Sequence, residues 1–162
     1  MKITKELLKE KGACVDGYRA FLEEYPEKKF PDGVEYQELL DVCAERSWEY
    51  GVWLLNKFGP TNEIREIEGD LIAEKSIIFA GQIKVSGGIK AGWGIEAGGG
   101  IKAGGQIETG YGIKAGGQIE TGEEFGIYVG LCCKITNHKF RKIIAAERPE
   151  NIMCGEFEEK KA

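Results

Sequence analysis

The stretch GGIKAGWGIEAGGGIKAGGQIETGYGIKAGGQIETG occupies residues 87–122 and repeats a unit of six residues. Each unit carries one isoleucine, and large apolar residues keep the same step on both sides of the stretch. A step of six fits neither the helical period near 3.6 residues nor simple strand alternation, so it predicts a chain that coils back onto itself. The residues on this step are Leu71, Ile77, Ile83, Ile89, Ile95, Ile101, Ile107, Ile113, Ile119, Phe125 and Leu131.

Strand geometry assigns a role to each position of the unit. The isoleucine points inward, the Lys or Glu after it points outward to water, and the following Ala or Thr points inward again. Glycine then turns the corner, and we expect the glycines to supply tight corners and left-handed backbone angles. The repeat therefore predicts a parallel β-helix, a β-solenoid whose narrow core consists of stacked isoleucines beside Ala and Thr.

The number of units in one coil is open between two and three. Residues 99–110 and 111–122 match at eleven of twelve positions, which favours two units. Two units would stack like charges at strand spacing, whereas three units would place Lys beside Glu and Tyr111 directly above Trp93. We favour three sides and about three and a half coils of eighteen residues. The predicted charge pairs are Lys90 with Glu108, Glu96 with Lys114, and Lys102 with Glu120.

The residues before the repeat have no six-residue phase, and their apolar spacing predicts helices. We expect Thr4 to cap a first helix, Pro26 to end a second that begins at Val15, a third to run from Tyr36 to Glu45, and Ser47 to cap a fourth. The chain is thus predicted to be an α+β protein with a small N-terminal helical module at 1–60 and a β-solenoid at 64–136. Residues 137–162 are assigned to a C-terminal β cap or to subunit-contact strands, because a solenoid end exposes unpaired backbone groups.

Composition narrows the function classes. The 162 residues carry a net charge of −5, with 42% hydrophobic and 30% charged residues, which is typical of a soluble folded protein. The chain has no basic patch, so we do not expect direct nucleic-acid binding. We find neither a secretory signal nor the ~20 apolar residues of a membrane span, so we expect a cytoplasmic protein without a membrane partner.

The residues that could carry chemistry lie near the C-terminus. His138 is the single histidine, and Cys132 and Cys133 precede it by a few residues. A metal site or a thiol nucleophile would need these side chains to converge, whereas a strand sends Cys132 and Cys133 to opposite faces. We therefore expect no metal, no cofactor and no catalytic residue, and we interpret the five cysteines as reduced packing residues.

Aromatic residues suggest a surface for a protein partner. Trp48 and Tyr50 belong to the fourth predicted helix, and Trp93 and Tyr111 occupy one predicted corner of the solenoid. Large rigid aromatic side chains lose little entropy on binding, so we predict that these four residues bind a partner.

Three-sided coils of six-residue units resemble the left-handed helices of the hexapeptide acyltransferases. That resemblance would imply an acyl-CoA-dependent enzyme acting between the subunits of a trimer. In those enzymes a small residue usually lies two positions before the aliphatic one, whereas here Ala or Thr follows it by two. They also rely on a histidine in or beside the coils, and none lies between Leu71 and Leu131. We therefore do not expect an enzyme.

Most of the chain resembles phage and bacterial proteins in which a short helical module precedes a Gly-rich solenoid of hexapeptide type. The resemblance is carried by Cys14, Phe21, Pro31-Asp32-Gly33 and Trp53-Leu54-Leu55 in the module and by GGIKAG and GQIETG in the repeat. It implies a phage or mobile-element protein that works by protein–protein interaction, as an inhibitor of a host defence complex such as a CRISPR nuclease. A self-assembling structural solenoid, similar to the bactofilin polymers, and the acyltransferase remain alternatives. We also expect a homo-oligomer.

Overall fold

The computed structural model describes residues 1–134 and 136–160. Residue 135 and residues 161–162, which belong to the predicted solenoid and cap, lie outside the described residues. Four helices come first, as predicted, and a short antiparallel ribbon joins the start of the chain to the segment before the third helix. The helices are α1 (Lys5–Glu10), α2 (Val15–Glu24), α3 (Tyr36–Arg46) and α4 (Trp48–Phe58), and the ribbon consists of β1 (Lys2–Ile3) and β2 (Val34–Glu35).

Side-chain caps mark the beginnings of α1 and α2. The backbone N–H of Leu7 donates to the Thr4 hydroxyl oxygen at 3.3 Å, which confirms the predicted cap of α1. The thiol of Cys14 accepts the N–H of Gly17 at 3.3 Å at the start of α2. Ser47 occupies the predicted N-cap position of α4, but its side chain makes no capping hydrogen bond. None of the described helices is long and apolar enough to cross a membrane.

The strands after the module form a parallel three-sided solenoid, which confirms the predicted fold class. Its first column contains β3 (Ile64–Ile67), β6 (Gln82–Val85), β9 (Ile101–Ala103) and β12 (Ile119–Glu120). Its second contains β4 (Leu71–Ala73), β7 (Ile89–Ala91), β10 (Ile107–Thr109), β13 (Ile127–Val129) and β15 (Ile152–Cys154). Its third contains β5 (Ile77–Phe79), β8 (Ile95–Ala97), β11 (Ile113–Ala115), β14 (Lys142–Ala145) and β16 (Glu156–Glu159).

The solenoid is longer than the repeat alone predicts. Each column holds four or five strands, which makes about five turns rather than three and a half. At one end β3 precedes the six-residue step but lies within the predicted range of 64–136, and at the other β14, β15 and β16 extend the columns beyond that range. These last strands lie in the region predicted as a cap, and they pair in parallel with the columns.

Register settles the number of residues in a coil of the repeat. Ile89 pairs with Ile107 and Ile95 with Ile113, so each residue lies beside the one eighteen positions later. The three predicted charge pairs all form. Their Nζ–Oε distances are 3.2 Å for Lys90–Glu108, 2.6 Å for Lys114–Glu96 and 2.7 Å for Lys102–Glu120.

The residues on the six-residue step are not all buried up to the last one, Leu131. Phe125 and Leu131 keep the step, but they are 45% and 53% exposed, so their predicted inward orientation is wrong. Ile127 is fully buried in their place and pairs with Ile107, twenty positions earlier. Two extra residues between β12 and β13 therefore shift the phase. The connections from β13 to β14 and from β14 to β15 are also longer than those of the repeat, whereas Gly155 alone joins β15 to β16.

The glycines of the repeat are required for a different reason from the one expected. The glycines with positive φ among the described residues are Gly12, Gly33, Gly59, Gly69, Gly130 and Gly155, all outside residues 87–122. The prediction of left-handed angles within the repeat is therefore wrong. A Cβ on Gly116 would instead lie 1.8 Å from the carbonyl oxygen of Gly98. Successive coils approach so closely at this corner that the backbones leave no room for a side chain.

The helical module packs on the outer side of the third column, which we call the module face. Ile78 points outward from β5, yet it is 1% exposed because it belongs to the apolar core of the module. The amide nitrogen of Gln37 donates to the carbonyl oxygen of Ile78 at 2.9 Å, and the N–H of Ala80 donates to the Gln37 side-chain oxygen at 3.0 Å. Gly51 permits this approach, because a Cβ there would lie 2.3 Å from Cδ1 of Ile78.

Candidate protein-binding groove

A groove of about 390 Å³ opens on the module face beside the helical module. Trp48, the first residue of α4, contributes one wall, and its ring lies so near the coil that a Cβ on Gly94 would be 3.3 Å from its Cη2 atom. Trp93, Tyr111 and Phe140 contribute the aromatic corner of the groove. We call this cavity the aromatic groove.

The aromatic corner is built by the coil itself. Trp93 and Tyr111 follow equivalent glycines in successive coils, and the N–H of Tyr111 donates to the carbonyl oxygen of Trp93 at 2.8 Å. The predicted stacking of these positions is confirmed for the backbone. The Tyr111 ring meets the Phe140 ring edge to face, with 5.8 Å between centroids. Trp93, Tyr111 and Phe140 remain 47%, 39% and 45% exposed.

The floor of the groove consists of outward residues of three neighbouring strands: Glu96 on β8, Lys114 on β11 and Ile144 on β14. The Glu96 side chain is 5% exposed, so its predicted exposure to water is wrong. The reason is that the helical module and the walls of the groove cover this part of the sheet and keep water away from the Glu96 side chain. Burial raises the pKa of the Glu96 carboxyl above its ordinary value, although the ion pair with Lys114 opposes this shift.

Lysines line the side of the groove away from the module. Lys142 forms an ion pair with Glu158 of β16. Lys139 lies with its Nζ atom 5.9 Å from the Phe140 ring centroid. With Lys114 this makes three lysines against two glutamates, Glu49 and Glu96, around a groove in a protein of net charge −5. The groove is therefore less acidic than the molecule that carries it.

Tyr50 lies apart from the other three predicted binding residues. It is two residues after Trp48 on α4, which turns its side chain by about 200° around the helix axis. It faces α2, where a Cβ on Gly17 would lie 3.5 Å from Cε1 of Tyr50. It lines a separate cavity of about 370 Å³ within the module, beside Cys14. The structure thus brings Trp48, Trp93 and Tyr111 together and leaves Tyr50 elsewhere.

Phe140 is the aromatic groove residue that the sequence interpretation missed, and Lys139 and Ile144 were not predicted there either. It ends a short 3-10 turn, His138–Phe140, in the connection between β13 and β14. This connection lies outside the repeat, so no periodic signal places it over the Tyr111 corner. The available signal was weaker: the connection is polar and basic on either side of one large aromatic residue.

The His138 and cysteine side chains are engaged separately. The Nδ1 atom of His138 pairs with a carboxylate oxygen of Glu156. The Cys133 thiol lies 3.5 Å from the Gly110 carbonyl oxygen, and the Cys154 thiol lies 3.4 Å from that of Val129. Within residues 1–134 and 136–160, no group of three or more His, Cys, Asp or Glu side chains could hold a metal ion.

Comparison with known proteins finds a similarity for the first part of the chain. Residues 1–57 match the family model described as the YdhT N-terminal domain. The match covers about a third of the 162 residues and reaches almost to the end of α4. No curated protein and no solved structure matches the chain. The helical module is therefore similar to a domain family, and the family description names no activity.

Proposed function

We propose that the protein is a non-catalytic interaction protein that binds a protein partner in the aromatic groove. The observation that carries this proposal is the aromatic corner, where three large rings stay 39–47% exposed on a concave surface. Partly exposed Trp and Tyr side chains around a pocket are the side chains that dominate binding energy in protein interfaces.

The scaffold under the groove supports this proposal. Trp93 and Tyr111 extend from backbone that hydrogen-bonds to neighbouring coils, and the Tyr111 ring packs against Phe140. Side chains held in this way lose little conformational freedom when a partner covers them. The groove can therefore convert apolar contact into affinity more effectively than the same residues on a loop.

The solenoid ends favour lateral binding over end-to-end assembly. At the N-terminal end Arg65 occupies the register position opposite Ile83, and its guanidinium lies 4.7 Å from the Phe79 ring centroid. At the other end the Arg148 guanidinium lies 5.8 Å from the Phe157 ring centroid. Charged residues at a terminal strand oppose the addition of another sheet edge. We therefore rank a self-assembling solenoid second.

A narrower form of the proposal concerns the partner's origin. The sequence resembles phage and bacterial proteins with a helical module before a Gly-rich solenoid. That resemblance implies a phage or mobile-element context, in which small acidic proteins often block host machines. An inhibitor of a host defence complex, such as a CRISPR nuclease, is the specific partner hypothesis that follows. Its support is the resemblance, whereas the groove supports protein binding in general.

The test compares partner capture by matched variants. The groove variant is W93A combined with Y111A. The control is F125A, which removes an aromatic residue of similar exposure, 45%, from another corner. Each tagged protein is mixed with cell lysate and, separately, with purified defence nucleases, and its molar mass is measured by light scattering. We expect wild type and F125A to retain the same partner and the groove variant to bind it more than about tenfold more weakly.

Two results would reject the proposal. One is recovery of the wild-type protein alone, without any partner, from every mixture. The other is equal partner retention by the groove variant and F125A. Concentration-dependent filaments of the wild-type protein would instead favour the structural alternative.

A further inference from the structure

The module face already binds helices within this chain. The outward residues of this column are, in order along the sheet, Ile78, Glu96, Lys114, Ile144 and Glu158. The module covers Ile78 completely, and Ile144 is the other aliphatic residue of the series. Ile144 is half-buried in the groove floor. The aromatic groove is thus a continuation of an established interface between helices and this sheet.

The floor of the groove is about as broad as one helix. Neighbouring strands lie about 4.8 Å apart, so the two steps from β8 to β14 span roughly 10 Å. That distance equals the diameter of an α-helix with its side chains, about 10–12 Å. An added strand has no place there, because β11 already pairs with β8 on one side and with β14 on the other. A helix can dock without free backbone groups, whereas strand addition needs them.

The lysines of the groove indicate which charge one side of such a helix should carry. Lys114 and Lys142 have ion-pair partners in Glu96 and Glu158. Lys139, by contrast, makes no ion pair with the part of the chain that the structure describes, and it lies beside the Phe140 ring. An acidic side chain on the bound segment would pair with Lys139. The remainder of this acidic protein would disfavour such a segment, so the attraction is local to the groove.

We propose that the occupant of the aromatic groove is an amphipathic helix of a partner protein, with apolar residues toward Ile144 and the aromatic corner and acidic residues toward Lys139. This inference rests on the proposed function and names the partner's contact segment. The apolar anchors would recur at i, i+3 or i+4, and i+7, as they do when a helix lies in a hydrophobic groove.

The test is selection of random displayed peptides on the full-length protein. Counter-selection on W93A combined with Y111A removes every peptide that does not depend on the groove. We expect the survivors to carry helically spaced apolar residues and net negative charge. A survivor should bind K139E about fivefold or more weakly than wild type. The control is K28E, the same charge change at an exposed lysine of the helical module that does not line the groove, and a survivor should bind it within about twofold of wild type.

The outcomes separate this inference from the proposed function. Groove-dependent peptides that are basic, Pro-rich or without helical spacing would overturn the acidic helix and leave protein binding in the groove intact. Equal binding of an acidic peptide to wild type and K139E would overturn the assigned orientation. A selection that yields no groove-dependent peptide at all would overturn both the inference and the proposed function.

Discussion

Two faces of the solenoid share one interior and differ in what covers them. The outer side of the first column, the charged face, carries Glu66, Lys84, Lys102 and Glu120, all exposed to solvent. The module face is built on the same inward isoleucines and carries the helical module and the aromatic groove. The inward residue of each unit therefore specifies the coil, and the outward residue determines whether a face stays in water or binds another element.

Two equivalent ion pairs make the contrast quantitative. On the charged face, Lys102 and Glu120 are 2.7 Å apart and 55% and 47% exposed. On the module face, the equivalent pair of Lys114 and Glu96 has a similar separation, 2.6 Å, but the Glu96 side chain is only 5% exposed. The repeat supplies the same Lys–Glu ion pair on both faces, and the elements that cover the module face remove one of the two glutamates from solvent.

The largest expected effect tests the shared interior. I101D, under the charged face, and I113D, under the module face, should each lower the free energy of unfolding by more than about 4 kcal/mol, because apolar burial is lost and a carboxyl without a partner is buried. Urea unfolding followed by circular dichroism measures both. K102A is the control and should change stability by less than about 0.5 kcal/mol. Near-native stability of either Asp variant would show that the two faces do not share one core.

A smaller effect tests the cover of the module face. I78A removes the residue that the module buries and should cost about 2–5 kcal/mol. I144A changes the same residue type in the same outward column, where it is half-buried in the groove, and should cost about 1 kcal/mol. Urea unfolding followed by circular dichroism and by the combined fluorescence of Trp48, Trp53 and Trp93 would measure both losses. Equal losses for the two variants would contradict the distinction between the part of the module face that the helical module covers and the part that lies open in the aromatic groove.

The coil was predictable because the repeat carries its own period and charge pattern. The opposite charges of Lys90 and Glu108 distinguish eighteen residues per coil from twelve, since only eighteen places them side by side. The prediction failed where the pattern ends. Phe125 keeps the six-residue step in the sequence, but two extra residues in the turn before Ile127 move the buried position. An insertion of this kind is visible only in the paired strands.

The groove was only partly predictable because it depends on contacts between distant segments. Trp93 and Tyr111 follow from the coil, which places them at one corner. The positions of Trp48, Tyr50 and Phe140 depend instead on how α4 and the connection to β14 lie against the coil. Nothing in helical spacing alone tells which side of α4 meets the sheet. The same docking buries Glu96, which the repeat pattern assigns to solvent.

The smallest expected effect is on the pH dependence of stability, which we compare for Glu96 and Glu120, the glutamates of the two equivalent ion pairs. The pKa of Glu96 is raised by burial, so folding favours its protonated form. Wild-type stability relative to E96Q should therefore be greatest below the ordinary carboxyl pKa of 4.5 and should fall as pH rises through the higher pKa of the folded state. Glutamine keeps the shape of the side chain and does not titrate, so the difference between the two proteins isolates this one group.

E120Q provides the matched measurement on the charged face. Glu120 is 47% exposed and also pairs with a lysine, so its replacement should change the free energy of unfolding by less than about 0.5 kcal/mol at pH 7. Urea unfolding of wild type, E96Q and E120Q at several pH values between 4 and 8 gives the comparison directly. A stability difference between wild type and E96Q that grows in favour of wild type with rising pH would mean that Lys114 outweighs burial at Glu96. The covered and open faces would then treat their ion pairs alike, and the contrast between them would rest on apolar contact alone.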